Sequence, residues 1–195
     1  MNHSDKRLST CRDTLELMRT AYIGLGGNLA SWVGEPQATV AAAALRLESL
    51  GRVVARSSLY STAPVGFADQ PRFVNAVVAL ETYLAPRELL NKLLAIELEF
   101  GRNRSTGVVN GPRTLDMDIL LFGELEISEP DLEIPHPRLA ERAFVLTPLN
   151  ASAPRLFVPG RGKTVAQLLT QLLAASQSNS DAVLRIDSAP GRIVT

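Results

Sequence analysis

Asp116 and Asp118 open an otherwise apolar run that continues through Ile119, Leu120, Leu121 and Phe122 to Gly123. Such a run reads as a strand, and a strand places positions i and i+2 on one face. The two carboxylates therefore point the same way, about 6.5–7 Å apart along the chain. Leu115, Met117, Ile119 and Leu121 are expected on the other face, toward a core. Two carboxylates held that close repel each other and are costly to desolvate. A hard divalent cation such as Mg²⁺ relieves both problems, because it prefers oxygen ligands. Arg113, three residues upstream, adds a fixed positive charge. Together these groups point to the handling of phosphate. The plainer reading is a strand start whose aspartates are solvated, which the apolar character of the run disfavours.

The pattern around this run sets the rest of the fold. Ala21–Gly26 reads as a strand that ends at glycines. Pro36, Val40, Ala44 and Leu47 recur at helical spacing before Gly51, with proline in the first turn. Val53–Ser61 reads as a β run, followed by a loop rich in turn residues over 63–71. Phe73–Tyr83 alternates as a strand. Pro86 opens a helix with Leu89, Leu93, Ile96 and Phe100 on one stripe. After the Asp116 strand come a short strand pair (Glu124–Ser128, Leu132–Ile134) and helical segments at Arg138–Leu146 and Thr164–Ala175. The core order β-α-β-β-α-β predicts an α+β split β-α-β arrangement, an antiparallel sheet with two helices on one face. Residues 1–19 read as a flexible extension, 20–175 as one domain and 176–195 as a tail.

The bulk numbers narrow the class. Lys+Arg and Asp+Glu both number 20 in 195 residues, so a basic nucleic-acid protein is not expected. The one cysteine, Cys11, leaves no disulfide framework and reads as a stray thiol. No run of about 18 apolar residues is present, and the N-terminus lacks an apolar signal core. The expectation is a cytoplasmic protein without membrane or nucleic-acid partners.

Several other motifs are two-sided. Gly24-Leu25-Gly26-Gly27-Asn28 follows a strand but lacks the third glycine of a dinucleotide fingerprint, so a tight turn is expected. Gly162-Lys163-Thr164 lacks the upstream P-loop glycine, and Thr164 is expected to cap the last helix. Phe73 and Asn75 share a strand face, which suits a flat hydrogen-bonding heterocycle and equally a half-buried sheet face. Arg102 and Arg104 lie in a loop long enough to be functional, although a solvated loop is the plainer reading. His136, set between Pro135 and Pro137, reads as structural by itself, with Arg142 and Phe144 a basic and aromatic pair downstream.

Five segments together resemble the 6-hydroxymethyl-7,8-dihydropterin pyrophosphokinases. They are Tyr22–Leu29, Tyr60–Pro64, Asp69–Ala76, Gly111–Gly123 and Ile134–Arg138, within a resemblance over roughly 20–150. The resemblance implies a ferredoxin-like fold and transfer of diphosphate from ATP to the hydroxymethyl oxygen of a reduced pterin, with release of AMP, in folate biosynthesis. By the same resemblance Asp116 and Asp118 bind two Mg²⁺ ions. Thr62, Pro64 and Val65 line the pterin pocket, Asn75 bonds the pterin edge, and Phe73 and Phe144 sandwich its ring. Glu97, Arg102, Arg104, Arg113, Ile119, His136 and Arg142 contact ATP, with Asp116, Asp118, Arg104 and Arg113 the catalytic set. The arginine loop is implied to close as a lid. The chain departs from the family pattern at Leu94, Asn110, Asp131 and Pro137, and Phe73 stands for a tyrosine. The substrates implied are ATP and the reduced pterin, acting on a monomer. Two other readings remain open on the residues alone. They are a palm-type metal-dependent nucleotidyltransferase and a non-catalytic ferredoxin-like ligand-binding module.

Overall fold

The computed structural model describes residues 17–104, 111–175 and 183–186. The elements run β1 (Arg19–Gly27), α1 (Pro36–Arg46), β2 (Arg52–Arg56), β3 (Leu59–Thr62), β4 (Phe73–Thr82), α2 (Pro86–Glu99), β5 (Asp116–Phe122), β6 (Ile127–Glu129), β7 (Leu132–Ile134), α3 (Ala143–Ser152), β8 (Phe157–Val158), β9 (Lys163–Thr164), α4 (Val165–Ala175) and β10 (Leu184–Ile186). The main sheet is antiparallel in the order β10-β3-β4-β1-β5, with β2 also paired to β4. Counting β2 and β3 as one broken strand, this is the ferredoxin-like order.

The Val53–Ser61 run breaks at Ser57 and Ser58, where the Ser57 hydroxyl takes the place of one backbone acceptor. The Ser57 N–H donates to Val77 O at 2.9 Å, and its Oγ accepts from Val77 N at 2.9 Å. Both faces of the sheet are covered, where helices on one face were expected. The α1 and α2 side packs on Ile23, Leu25, Val74, Val78, Met117 and Ile119. The opposite side packs α3 and α4 on Val77, Leu120 and Leu121. Strand β4 is consequently buried on both faces.

Leu121 lies opposite to its expected face. The register of β5 on β1 passes from Tyr22↔Leu121 to Ile23↔Ile119, a bulge that inserts Leu120. A bulge turns two successive residues to one side, so Leu120 and Leu121 both meet the α3 layer. The glycines of β1 do not form a turn, since pairing continues to Gly27 on β4 and to Gly26 on β5. The helix expected at Arg138–Leu146 begins at Ala143, after a single 3₁₀ turn at Leu139–Glu141. Thr164 caps α4 as expected. Its Oγ1 accepts from Gln167 N at 3.3 Å, and Gln167 Oε1 accepts from Thr164 N at 2.9 Å, the reciprocal pairing of a capping box. Within the 176–195 tail, Leu184–Ile186 joins the sheet beside β3. The reading of residues 1–16 lies outside the described residues. Among the described residues, no helix is long and apolar enough to cross a membrane.

Candidate active site

The α3-facing side of the sheet carries two rows of residues across β4, β1 and β5. Asn75, Gly26 and Asp116 form one row, and Val77, Gly24 and Asp118 form the next. Strands in a ladder lie about 4.7–4.9 Å apart, so the Asn75 and Asp116 backbones stand about 10 Å apart with a glycine between them. A Cβ at Gly26 would come within 2.8 Å of Asn75 Oδ1, and one at Gly24 within 3.3 Å of the Leu120 side chain. The glycines thus leave a floor without side chains between an amide and a carboxylate pair.

Above one end of this floor is a cavity of about 140 Å³ walled by Thr62, Val65, Phe73, Asn75, Arg113 and Phe144 among others. Ala63 and Val65 line it on either side of Pro64, which stays outside its walls. Thr62 and Asn75 are buried, and Asn75 Nδ2 donates to Thr62 Oγ1 at 2.8 Å. Guanidinium groups cover both aromatic rings. Arg113 Cζ lies 4.8 Å from the Phe73 centroid and Arg142 Cζ 5.5 Å from that of Phe144, distances suited to cation–π attraction. A second recess, of about 40 Å³, shares Asn75, Arg113, Arg142 and Phe144 with the first and extends to Asp116 and Asp118. The two recesses therefore adjoin across these four residues, one at the amide end and one at the carboxylate end.

The carboxylates differ in surroundings. Asp116 Oδ1 accepts from Arg102 Nη1 at 2.6 Å, and its Oδ2 lies 3.0 Å from Arg113 Nε. Asp118 forms no ion pair among the described residues. Burial, then the neighbouring charge of Asp116, pushes the Asp118 carboxyl up to about 6, with Arg142, Arg113 and Arg102 pulling the other way. A second positive group or a cation at this position would restore its ionised form.

Glu97 projects from α2 behind these groups and is 1 % exposed. Its Oε2 takes Arg104 Nη2 at 2.5 Å and Nε at 3.2 Å. Its Oε1 accepts from Met117 N at 2.8 Å. Burial raises its pKa against the lowering effects of Arg104 and Met117. The carboxylate is fully engaged with protein donors. Ile119 has its side chain in the core against the α1 and α2 layer, leaving its backbone for any contact with a ligand. His136 follows a cis Ile134–Pro135 bond. Its N–H donates to Leu120 O at 2.9 Å, and its Nδ1 accepts from Arg138 N at 3.1 Å. Burial, with Arg142 and Arg138 nearby, lowers the imidazole to about 4, so it stays neutral at physiological pH with Nε2 left for a partner. The implied lid lies partly at residues 105–110, outside the described residues.

A model of the 7,8-dihydro-6-hydroxymethylpterin-pyrophosphokinase family matches residues 22–154. The chain belongs to this family. It is 50 % identical over 155 residues to the 2-amino-4-hydroxy-6-hydroxymethyldihydropteridine pyrophosphokinase of Pseudomonas aeruginosa, covering 78 % of this chain and 91 % of that protein. It is 42 % identical over 157 residues to the enzyme of the same name from Methylorubrum extorquens, covering 80 % and 94 %. The crystal structure of wild-type Plasmodium falciparum HPPK-DHPS with pteroate superposes with a TM-score of 0.64 at 17 % identity, covering 81 % of this chain and 43 % of that one. The chain thus spans under half the length of that two-part protein. Membership in the pyrophosphokinase family sets aside the nucleotidyltransferase and ligand-sensing alternatives.

Beside the floor stands a residue whose bracing role pattern reading passed over. Asn28, 3 % exposed, follows the β1 glycines and joins three segments. Its Oδ1 accepts from Arg113 N at 2.8 Å, and its Nδ2 donates to Gln70 Oε1 and Pro71 O at 3.0 Å each. Its own N–H donates to Arg113 O at 2.9 Å. A Cβ at Gly27 would lie 2.2 Å from Thr114 O, so the same glycine run lets the Arg113 segment approach. The available sequence signal was an amide directly after a glycine cluster, which marked a turn rather than a three-way brace.

Proposed function

We infer that the chain transfers the terminal diphosphate of ATP to the hydroxymethyl oxygen of 6-hydroxymethyl-7,8-dihydropterin and releases AMP. The observation that carries this reading is the pair of adjoining recesses that extends from Asn75 to the Asp116–Asp118 pair across the glycine floor. An amide–hydroxyl pair and two aromatic rings suit the edge and faces of a pterin. Carboxylates ringed by Arg102, Arg104, Arg113 and Arg142 suit a polyphosphate.

In the reaction the hydroxymethyl oxygen attacks the β-phosphorus, the bond to the bridging oxygen of the α-phosphate breaks, and AMP departs. The hydroxyl proton is lost from the pterin oxygen. Such transfers depend on positioning and charge neutralisation more than on covalent help. Asn75 and Thr62 fix the pterin edge. Phe73 and Phe144 hold its faces once Arg113 and Arg142 turn from the rings toward phosphate. Arg102 and Arg104, set by Glu97 and Asp116, offset charge on the transferred group. Neutral His136 offers Nε2 as a neutral hydrogen-bonding group.

Asp116 and Asp118 fit two Mg²⁺ ions. Their side chains share one face, Asp118 forms no ion pair among the described residues, and burial with the charge of Asp116 disfavours its ionised form until a cation arrives. No group of three or more acidic, histidine or cysteine ligands exists among the described residues. That suits Mg²⁺ held by one or two carboxylates, with waters and substrate phosphates completing its shell. When bound, the ions would neutralise phosphate charge and acidify the pterin hydroxyl.

The direct test is incubation with ATP, Mg²⁺ and the reduced pterin, followed by nucleotide analysis. AMP with a pterin diphosphate is expected. ADP, or no pterin-dependent turnover, overturns the reading.

A further inference from the structure

The arginines that converge on Asp116 come from two separate segments, and the β1–α1 connection touches the bases of both. At one end Asn28 grips the Arg113 backbone. At the other end Trp32, the one tryptophan of the chain, reaches the end of α2.

Helix α2 closes in a Schellman turn. Gly101 takes φ +84°, its N–H donates to Leu98 O at 3.0 Å, and Arg102 N donates to Glu97 O at 3.0 Å. This motif satisfies the Glu97 and Leu98 carbonyls and leaves that of Glu99 to an outside donor. Trp32 Nε1 supplies it at 3.0 Å. The indole also lies on the Phe100 ring, with centroids 5.8 Å apart and planes 25° apart. Trp32 is 73 % exposed while Phe100 beneath it is 3 % exposed. An indole that exposed adds little burial of its own. What it does is fix the last turn of α2 from outside.

That turn places the arginines. Arg102 leaves it directly and spans to Leu115 O and Asp116 Oδ1, at 2.8 and 2.6 Å. Glu97, whose carbonyl anchors the turn, holds Arg104 with its carboxylate. A change of a fraction of an ångström in the turn therefore shifts both guanidinium groups relative to Arg113.

We propose that Trp32 is a positioning residue for the polyphosphate end of the site. By capping the Glu99 carbonyl and stacking on Phe100, it sets the Schellman turn from which Arg102 and Arg104 act, and with Asn28 it braces the two arginine segments against each other. This rests on the function inferred above and assigns Trp32 no contact with substrate.

The experiment compares wild type, Trp32→Phe and Trp32→Leu by calorimetric titration with α,β-methylene-ATP plus Mg²⁺, and separately with the reduced pterin alone. Losing one hydrogen bond and one ring stack should weaken the nucleotide analogue about tenfold in Trp32→Leu. Trp32→Phe keeps the stack and should fall between it and wild type. Pterin affinity should stay within about twofold of wild type, because Thr62 and Asn75 do not touch this turn. Unchanged analogue affinity in both variants overturns the proposal, as does an equal loss of pterin affinity, which marks a general support of the fold. Should Trp32→Leu not fold, Trp32→Phe alone carries the same comparison. Failure of the functional reading is distinguishable, since wild type itself would then bind neither probe or yield ADP.

Discussion

Gly26 stands opposite Asn75 in the sheet, and any Cβ there would lie 2.8 Å from the Asn75 amide oxygen. The missing side chain keeps Asn75 in the rotamer that bonds Thr62 and leaves its remaining capacity facing the cavity. Gly26→Ala should therefore turn the Asn75 amide without unfolding the sheet, because the colliding atom ends a side chain. Pterin affinity should fall by about 1–3 kcal/mol, and affinity for an ATP analogue should hold. Calorimetry with each ligand decides it. Intact pterin binding in Gly26→Ala would show that the floor need not be bare.

Asp118 gives a prediction with a pH signature. Its folded pKa of about 6 lies above the ordinary aspartate value of 3.8, so the native state binds its proton more tightly than the unfolded chain. Stability from this group is present at low pH and declines as pH rises through that window. Asp118→Asn removes the titration. In metal-free protein the variant should melt above wild type at pH 7.5, and the gap should close between about 6 and 4. Turnover should drop by orders of magnitude. Melting scans across pH with a chelator present, together with rates, would contradict the assignment if the gap is flat with pH or if activity survives.

Arg104 tests the buried acid behind it. Removing Arg104 leaves the Glu97 carboxylate with Met117 N and the longer contact to Arg102 at 3.5 Å. Burial already raises the Glu97 pKa, and losing Arg104 raises it further. The ionised form then costs more, so Arg104→Ala should lose stability relative to wild type as pH rises, by about 1–3 kcal/mol at neutral pH. Adding Glu97→Gln should recover most of that stability without restoring ATP affinity. Denaturant titrations of the single and double variants at pH 5 and pH 8 measure this. A single variant equally stable at both values would place the charge of Glu97 elsewhere.

The carboxylate pair, the strand that carries it and the β-α-β-β-α-β order were legible because they rest on local periodicity. Asp116 and Asp118 share a face in any strand, and Phe73 and Asn75 do likewise. The helices at Pro36 and Pro86 announced themselves by proline starts and apolar stripes. What sequence alone could not supply were relations between segments far apart in the chain. The Leu120 bulge, which moved Leu121 to the other face, arises from how β5 registers on β1. The role of Gly24 and Gly26 as an open floor depends on which residues stand beside them in neighbouring strands, so they read locally as a turn. Glu97 looked like any acid on a helix until burial placed it behind Arg102 and Arg104. Asn28 joins two segments that lie 42 and 85 residues further along the chain. Local pattern determined where the main strands and helices lie and, away from the β5 bulge, which side chains share a face. Only tertiary packing, through cross-strand register and desolvation, decided which of those faces meet, which charges pair and where the concavity opens.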